Sequence, residues 1–249
     1  FQKRAGEWVP TTWKGYANAV CSVSAALRAA GVARGDRIAI MGDVSREWLI
    51  ADMATICSGA VTVGVYFTAS VEEVRYYLED SGARLAFAGS AEQLRIMEAA
   101  DTSRRLLKIV VLDPDWKRPP GETGMNVVSL AEFASHFFGD EVAYLREQAE
   151  LARPTDLVSL GYTSGTTGPP KGAMLTHVSM LAGAFTWPTF CPAILSEPQR
   201  MVVHLPLSHT VARIQATTLP LIAKTVPYFV DVSADFAKCI QEVRPTSYM

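Results

Sequence analysis

Short apolar runs alternate with amphipathic segments between residues 37 and 112, and this alternation restricts the fold more than any other feature of the chain. The runs have the length of buried strands, and the intervening segments carry apolar residues at helical spacing. In chain order, the predicted strands and helices cover residues 37–41, 45–57, 61–67, 70–80, 84–88, 91–100 and 106–112. Parallel strands need crossover helices and are covered on both faces. We therefore predict an α/β fold of doubly wound, mostly parallel sheets with flanking helices.

Local signals mark the start of two of these helices. Ser45 is the predicted N-cap of the first, and Ser70 with Glu73 three residues later gives a capping-box pattern at the second. Residues 113–126 contain several prolines and glycines and predict a surface excursion. The other predicted elements are helices at residues 14–30, 129–152, 177–185, 208–218 and 234–243, and strands at residues 156–162, 173–176, 200–205 and 225–230.

A polar loop follows the strand predicted at residues 156–162 and reads YTSGTTGPPKGAMLTH from Tyr162 to His177. Its glycines let a bulky anion approach backbone N–H groups, and its short hydroxyl side chains can bind phosphate oxygens or a hard cation such as Mg²⁺. Lys171 brings a positive charge. Ligands of open α/β sheets gather beyond the carboxyl ends of strands, where this loop begins. The sequence therefore predicts a phosphate-binding loop.

The loop differs from that of the P-loop NTPases, which has glycine before its lysine and Ser or Thr after it. Here Pro170 precedes Lys171 and Gly172 follows it. An ordinary surface loop rich in Ser, Thr, Gly and Pro is the alternative. The string YTSGTTGPPKG nevertheless closely resembles the signature of the adenylate-forming enzymes, the superfamily of acyl-CoA synthetases, luciferases and peptide-synthetase adenylation domains.

Further segments resemble the long-chain fatty acyl-CoA synthetase branch, so the likeness covers nearly the whole chain. These segments are GVARGDRIAI from Gly31, EW at Glu47, AVTVGVY from Ala60, VEEV from Val71, LEDSG from Leu78 and LPLSHTVAR from Leu205. The chain departs from the branch at three positions. Gly64 and Phe67 stand where prolines are common, and Ala212 stands where glutamate is common.

The resemblance implies a two-step reaction and assigns roles to loop residues. A fatty acid carboxylate attacks the α-phosphate of ATP to give acyl-adenylate and pyrophosphate, and the CoA thiol then takes the acyl group as a thioester. Thr166 would be the hydroxyl associated with Mg²⁺. The residues implied to hold the ATP phosphates are Thr163, Ser164, Gly165, Thr166, Thr167, Gly168 and Lys171. ATP, Mg²⁺ and CoA are the expected cofactors and co-substrates of an acid–thiol ligase.

His209 is the candidate catalytic residue. It resembles the family histidine that opens a helix beside the acyl site, where it would shape the route to the α-phosphate. Taken alone, a histidine at a helix start is commonly a satisfied polar residue. Trp187 and Phe190 fit either the hydrophobic core or the wall of an acyl tunnel.

Composition excludes some function classes. The net charge is -2 and basic residues are scattered, so nucleic acid is not an expected partner. The four cysteines form no C-x-x-C pair, which favours buried, reduced thiols in a cytosolic protein. No apolar run reaches the roughly 18 residues of a membrane span. We expect a cytoplasmic protein, with peripheral membrane contact as an expectation from the family.

The resemblance also predicts that residues 1–249 form the first part of a large N-terminal AMP-binding domain. The residues that close on adenine and ribose, and the small C-terminal domain, would then lie beyond Met249, and residues 1–249 alone would not turn over. Three alternatives share this chemistry: a fatty acyl-AMP ligase, a medium-chain or aryl synthetase, or another carboxylate-adenylating enzyme. The alternatives from different classes are a non-catalytic nucleotide-binding module and a plain α/β structural domain.

Overall fold

The computed structural model describes residues 1–119, 126–135, 139–163, 169–230 and 236–247. Its strands are β1 (Gln2–Arg4), β2 (Glu7–Val9), β3 (Arg37–Met41), β4 (Val61–Val65), β5 (Leu85–Ala88), β6 (Ile109–Val111), β7 (Val127–Ser129), β8 (Leu157–Thr163), β9 (Lys171–Thr176), β10 (Gln199–Val203) and β11 (Thr225–Phe229). Its helices are α1 (Trp13–Ala29), α2 (Arg46–Cys57), α3 (Val71–Ser81), α4 (Ala91–Ala100), α5 (Leu130–Phe133), α6 (Glu141–Leu151), α7 (His177–Phe190), α8 (Ala193–Ser196), α9 (Thr210–Arg213), α10 (Leu219–Ile222) and α11 (Phe236–Val243). A π-helical turn, Ile214–Thr218, joins α9 to α10.

The larger sheet carries the predicted doubly wound order. Within the described residues it has seven strands in the order β7-β6-β5-β3-β4-β8-β9. Neighbouring strands pair in parallel except β8 and β9, which form an antiparallel hairpin. The chain runs from β3 to β4 on one side, then returns to β5, β6 and β7 on the other. The predicted fold class is confirmed.

Helices cover both faces of this sheet. Residues of α1 and α2, among them the fully buried Trp48, form the core on one face. Residues of α3 and α4, among them Met97, form the core on the other. Along β3, Ile40 belongs to the first core and its neighbour Met41 to the second. The strands read as continuous apolar runs because both of their faces are buried.

Capping signals set the helix starts that the sequence predicted. Ser45 accepts a hydrogen bond from the backbone N–H of Trp48 at the start of α2. Ser70 and Glu73 form a capping box at the start of α3, in which each side chain accepts a bond from the other residue's backbone N–H. Helix α3 ends at Gly82, whose φ of 63° lies in the left-handed region that favours glycine. Both ends of α3 are therefore fixed.

The second sheet was not predicted as a separate unit. Within the described residues it has four strands in the order β10-β11-β1-β2, so the first strand of the chain lies beside a strand more than 200 residues later. Strand β7 was also not predicted. The helix predicted at residues 208–218 begins at Thr210 and passes through the π-helical turn.

The cysteines and the helices bear on two further expectations. All four cysteines are free, as predicted. Cys239 is buried and Cys21 and Cys57 are partly buried, but Cys191 is exposed directly after α7. The expectation of buried thiols is therefore wrong for Cys191. Among the described residues, we find no helix with the length and apolarity that crossing a membrane requires.

Candidate functional site

The hairpin of β8 and β9 carries the loop predicted to bind phosphate. Strand β8 is parallel to β4, so its last residue, Thr163, lies at the carboxyl end of a parallel strand. Strand β9 returns antiparallel and makes Lys171 the register partner of Thr163. Five predicted site residues lie outside the described residues: Ser164, Gly165, Thr166, Thr167 and Gly168. The described residues therefore give the two legs of the loop, one ending at Thr163 and the other running from Pro169 into β9.

The two legs bring a hydroxyl group and an ammonium group together. Thr163 and Lys171 are both exposed and directly paired. Lys171 makes no ion pair with any residue that the structure describes. The sequence predicted that the returning strand begins at Ala173, but it begins at Lys171 because pairing with β8 continues as far as Thr163.

The first leg packs on α3 through Tyr162. The ring of Tyr162 lies 4.5 Å from that of Tyr77, and its hydroxyl donates to Oδ2 of Asp80 at 2.6 Å. Burial, together with the neighbouring Asp80, raises the pKa of Tyr162 well above its ordinary value. The hydroxyl therefore stays protonated and remains a hydrogen-bond donor at neutral pH.

A pair of glycines brings a second chain segment onto the sheet beside the loop. Gly64 on β4 and Gly161 on β8 are register partners. A Cβ at Gly64 would lie 3.0 Å from Cα of Ser208, and a Cβ at Gly161 would lie 3.6 Å from Oγ1 of Thr210. Residues 208–210 thus cross both strands at close range. His209 is thereby placed next to the strand ends from which the loop emerges.

A buried ion pair anchors this segment. Arg213 is 2% exposed and forms a bidentate pair with the fully buried Asp52 of α2, with Nε to Oδ2 at 2.8 Å. Thr62 donates to Asp52 at 2.7 Å, and Arg213 donates to Ser159. Thr62 and Ser159 are themselves register partners, two residues before the glycine pair and on the same face. The network therefore ties α2, β4, β8 and α9 together below His209.

His209 and its neighbour present polar groups at this place. His209 is the N-cap of α9, but its side chain makes no capping hydrogen bond and is exposed. The Oγ of Ser208 is buried and has no hydrogen-bond partner among the described residues. A buried polar atom left without a partner is unfavourable, so the Oγ of Ser208 has an unused hydrogen-bonding capacity beside His209.

Sequence reasoning missed Asp52, Thr62 and Ser159. The signal for Asp52 is an acidic residue inside the apolar stretch LIADMATI, since a carboxylate rarely lies on a buried helix face without a partner. Its partner, Arg213, lies 161 residues away, so no local pattern could identify the pair.

A cavity of about 140 Å³ with both apolar and polar walls lies where α1, β11 and the π-helical turn meet. The apolar part of its walls includes Trp13, Leu49, Ala216 and Phe229, and the polar part includes Gln2, Arg46 and Thr217. Ala216 lies seven residues after His209, which is about 10 Å along a helix.

The two aromatic side chains that fit either the core or an acyl tunnel lie in different surroundings. Trp187 packs with Ile194 and Leu219 in a small core cluster, whereas Phe190 is 84% exposed. His177 is the first residue of α7, and burial lowers its pKa, which indicates a packing role. In the part of the chain that the structure describes, no group of three or more His, Cys, Asp or Glu side chains could hold a metal ion.

Comparison with known proteins agrees with the resemblance seen in the sequence. Residues 2–249 match the family model described as AMP-binding enzyme. The chain is 33% identical over 212 residues to the long-chain-fatty-acid--CoA ligase FadD15 of Mycobacterium bovis, over 84% of this chain and 33% of that protein. It is 30% identical over 261 residues to the long-chain-fatty-acid--CoA ligase ACSBG2 of Gallus gallus, over 99% of this chain and 33% of that protein. The chain thus spans about a third of the length of these curated relatives.

Among solved structures, the chain is similar to the anthranilate CoA ligase AuaEII in complex with anthranoyl-AMP. The TM-score is 0.78 and the identity 24%, over 98% of this chain and 46% of that one. At this identity the likeness bears on the fold alone.

Proposed function

The chain belongs to the AMP-binding enzyme family, and on that premise we propose that the full-length protein joins a long-chain fatty acid to CoA. In the first step the carboxylate attacks the α-phosphate of ATP, and pyrophosphate leaves. In the second step the CoA thiol attacks the acyl carbonyl carbon, which forms the thioester and releases AMP. The names of the two curated relatives support the choice of acid and thiol.

The observation that carries the proposal is the β8–β9 hairpin at the carboxyl end of the parallel sheet. It holds Thr163 opposite Lys171, and the sequence between them is rich in glycine and hydroxyl side chains. Pyrophosphate gains negative charge as it leaves, and preorganised donors and cations stabilise that charge. The ammonium group of Lys171 is placed to supply one such cation.

The loop residues are proposed to divide the work by chemistry. The groups that would bind the β- and γ-phosphates are the side chains of Ser164, Thr167 and Lys171 and the backbones of Gly165 and Gly168. The hydroxyl of Thr166 fits Mg²⁺, which takes oxygen ligands and keeps several waters when it binds beside phosphates. Bound Mg²⁺ would neutralise charge on the phosphate oxygens. Thr163 offers one more hydroxyl at the end of β8.

His209 is proposed to line the route by which the carboxylate reaches the α-phosphate. Its place beside the ends of β4 and β8, fixed by the glycine pair, supports that role. The buried Oγ of Ser208 offers a further polar contact. The cavity at Ala216, seven residues after His209, is proposed to take part of the acyl chain along its apolar walls.

Fatty-acid-dependent exchange of labelled pyrophosphate into ATP by the full-length protein tests the proposal. Exchange that requires both the acid and Mg²⁺ is the expected result. Absence of exchange, with ATP still bound, would instead support a non-catalytic nucleotide-binding module. Adding CoA then separates two ligases, because a CoA ligase forms the thioester whereas a fatty acyl-AMP ligase stops at the adenylate.

A further inference from the structure

Helix α3 contacts both legs of the phosphate loop, although the proposed reaction gives it no role. Tyr76 and Asp80 are four residues apart, so they lie on the same side of the helix. The hydroxyl of Tyr76 donates to the backbone carbonyl of Pro170 in the second leg at 2.9 Å. Asp80 accepts the hydrogen bond from Tyr162 in the first leg. One face of one helix therefore holds the loop at two points.

The contact with Pro170 bears directly on Lys171. The carbonyl of Pro170 belongs to the planar peptide group that joins the two residues, so holding this carbonyl sets the direction in which the backbone of Lys171 begins. Pro170 has no N–H, which leaves the carbonyl as its one polar group. The hydroxyl of Tyr76 therefore acts on the position of the lysine without touching it.

Packing makes this arrangement rigid. The rings of Tyr76 and Tyr162 meet edge to face at 6.2 Å, and Tyr77 lies against Tyr162. Gly172, the register partner of Tyr162, lies close to the ring, since a Cβ there would be in ordinary contact with it at 3.4 Å. With both ends of α3 capped, the helix is a fixed support for the two legs.

We propose that Tyr76 is a positioning residue for Lys171, and that the Asp80–Tyr162 hydrogen bond holds the opposite leg, so that α3 fixes the two legs between which ATP phosphates would bind. The inference rests on the proposed function, which gives Lys171 its role toward the ATP phosphates. Legs that are already held in place avoid part of the entropy loss on binding, so the consequence is tighter binding of Mg·ATP.

The test is Tyr76→Phe in the full-length protein, which removes one hydroxyl and keeps the ring. The KM for Mg·ATP in pyrophosphate exchange should rise roughly three- to tenfold, as expected for one lost hydrogen bond. The KM for the fatty acid should stay within about twofold, since the acid does not meet this leg. Tyr162→Phe should act in the same direction.

Tyr77→Phe is the matched control. Tyr77 is the next residue on the same helix, and its hydroxyl makes no hydrogen bond within the described residues. This variant should keep both KM values. Amide hydrogen exchange of the peptide over residues 162–172 gives a readout that does not depend on activity, and it should be faster in Tyr76→Phe than in Tyr77→Phe.

The outcomes separate this inference from the proposed function. An active wild-type protein with an unchanged KM for Mg·ATP in Tyr76→Phe overturns the inference alone. An equal rise in the KM values for Mg·ATP and fatty acid also overturns it, because that pattern indicates a general loosening. If the wild type shows no pyrophosphate exchange, the proposed function fails, and amide exchange decides by itself whether α3 holds the loop.

Discussion

Replacing Gly64 with alanine should lower the stability of the protein, whereas replacing its register partner Gly161 with alanine should raise it. A Cβ at Gly64 would lie 3.0 Å from Cα and 3.2 Å from the carbonyl oxygen of Ser208, so the backbone of residues 208–210 must shift. A Cβ at Gly161 would meet only Oγ1 of Thr210 at 3.6 Å, which is an ordinary contact. The two glycines are register partners in the same sheet, so the variants differ chiefly in this contact.

The expected difference in unfolding free energy between the two variants follows from two contributions. Alanine in a strand interior is favoured over glycine by about 0.5–1 kcal/mol, which applies to both positions. Overpacking at Gly64 costs about 1–3 kcal/mol. The shared term cancels, so Gly64→Ala should be about 1–3 kcal/mol less stable than Gly161→Ala, or several degrees in Tm for a domain of this size.

Urea unfolding of the full-length variants, followed by tryptophan fluorescence, measures this difference. Because residues 208–210 carry His209, Gly64→Ala should also slow fatty-acid-dependent pyrophosphate exchange by roughly tenfold or more. Equal unfolding midpoints for the two variants would refute the close crossing of these strands by residues 208–210. Equal rates of pyrophosphate exchange in the two variants would refute the idea that this crossing positions His209.

Three other predictions concern buried groups. Asp52→Asn should lower the free energy of unfolding in urea by about 3–5 kcal/mol, because it leaves Arg213 buried without its charge partner. The double variant Asp52→Leu with Arg213→Met should lose less stability. A loss below about 1 kcal/mol in Asp52→Asn would contradict this prediction. Burial raises the pKa of Cys57 to about 11. Iodoacetamide at pH 8 should therefore label the exposed Cys191 well before Cys57, as measured by mass spectrometry. Equal labelling rates for the two thiols would contradict this prediction. Burial lowers the pKa of His177 below its value in the unfolded state. The unfolded state therefore takes up the proton first, and stability should fall as the pH drops below about 6.5. His177→Gln should reduce this fall in the urea midpoint, and an unchanged pH profile would show that His177 does not cause it.

The sequence predicted most of the larger sheet because its signals are local. Strand β3 and helix α4 have the predicted bounds, and Ser45 and Ser70 cap their helices as expected. Those predictions depend on apolar periodicity and on side chains that bond backbone groups three residues away. Strand β7 was missed because three residues give too short a pattern to distinguish from the helix that follows.

The candidate site residues come from the motif and their binding roles stay predictions, whereas the contacts that support these residues are long-range. The loop, its lysine and His209 could be identified from the motif. The contacts that support these residues could not be identified in this way. The Asp52–Arg213 pair joins residues 161 positions apart, and the Tyr76–Pro170 hydrogen bond joins residues 94 positions apart. The sequence marked Gly64 only as a glycine where proline is common. The reason for a glycine there is the close approach of Ser208, which is visible only in the folded chain.

The central claim is that the loop between β8 and β9 binds the phosphates of ATP, and substitution of Lys171 and Thr166 tests it most directly. Lys171→Ala and Thr166→Val in the full-length protein should each lower kcat/KM for Mg·ATP in pyrophosphate exchange by roughly 10²–10³-fold, the usual effect of removing one preorganised group that stabilises developing charge. Lys14→Ala, at an exposed lysine on α1, is the control and should leave the rate unchanged. Undiminished exchange in the Lys171 and Thr166 variants would contradict the account.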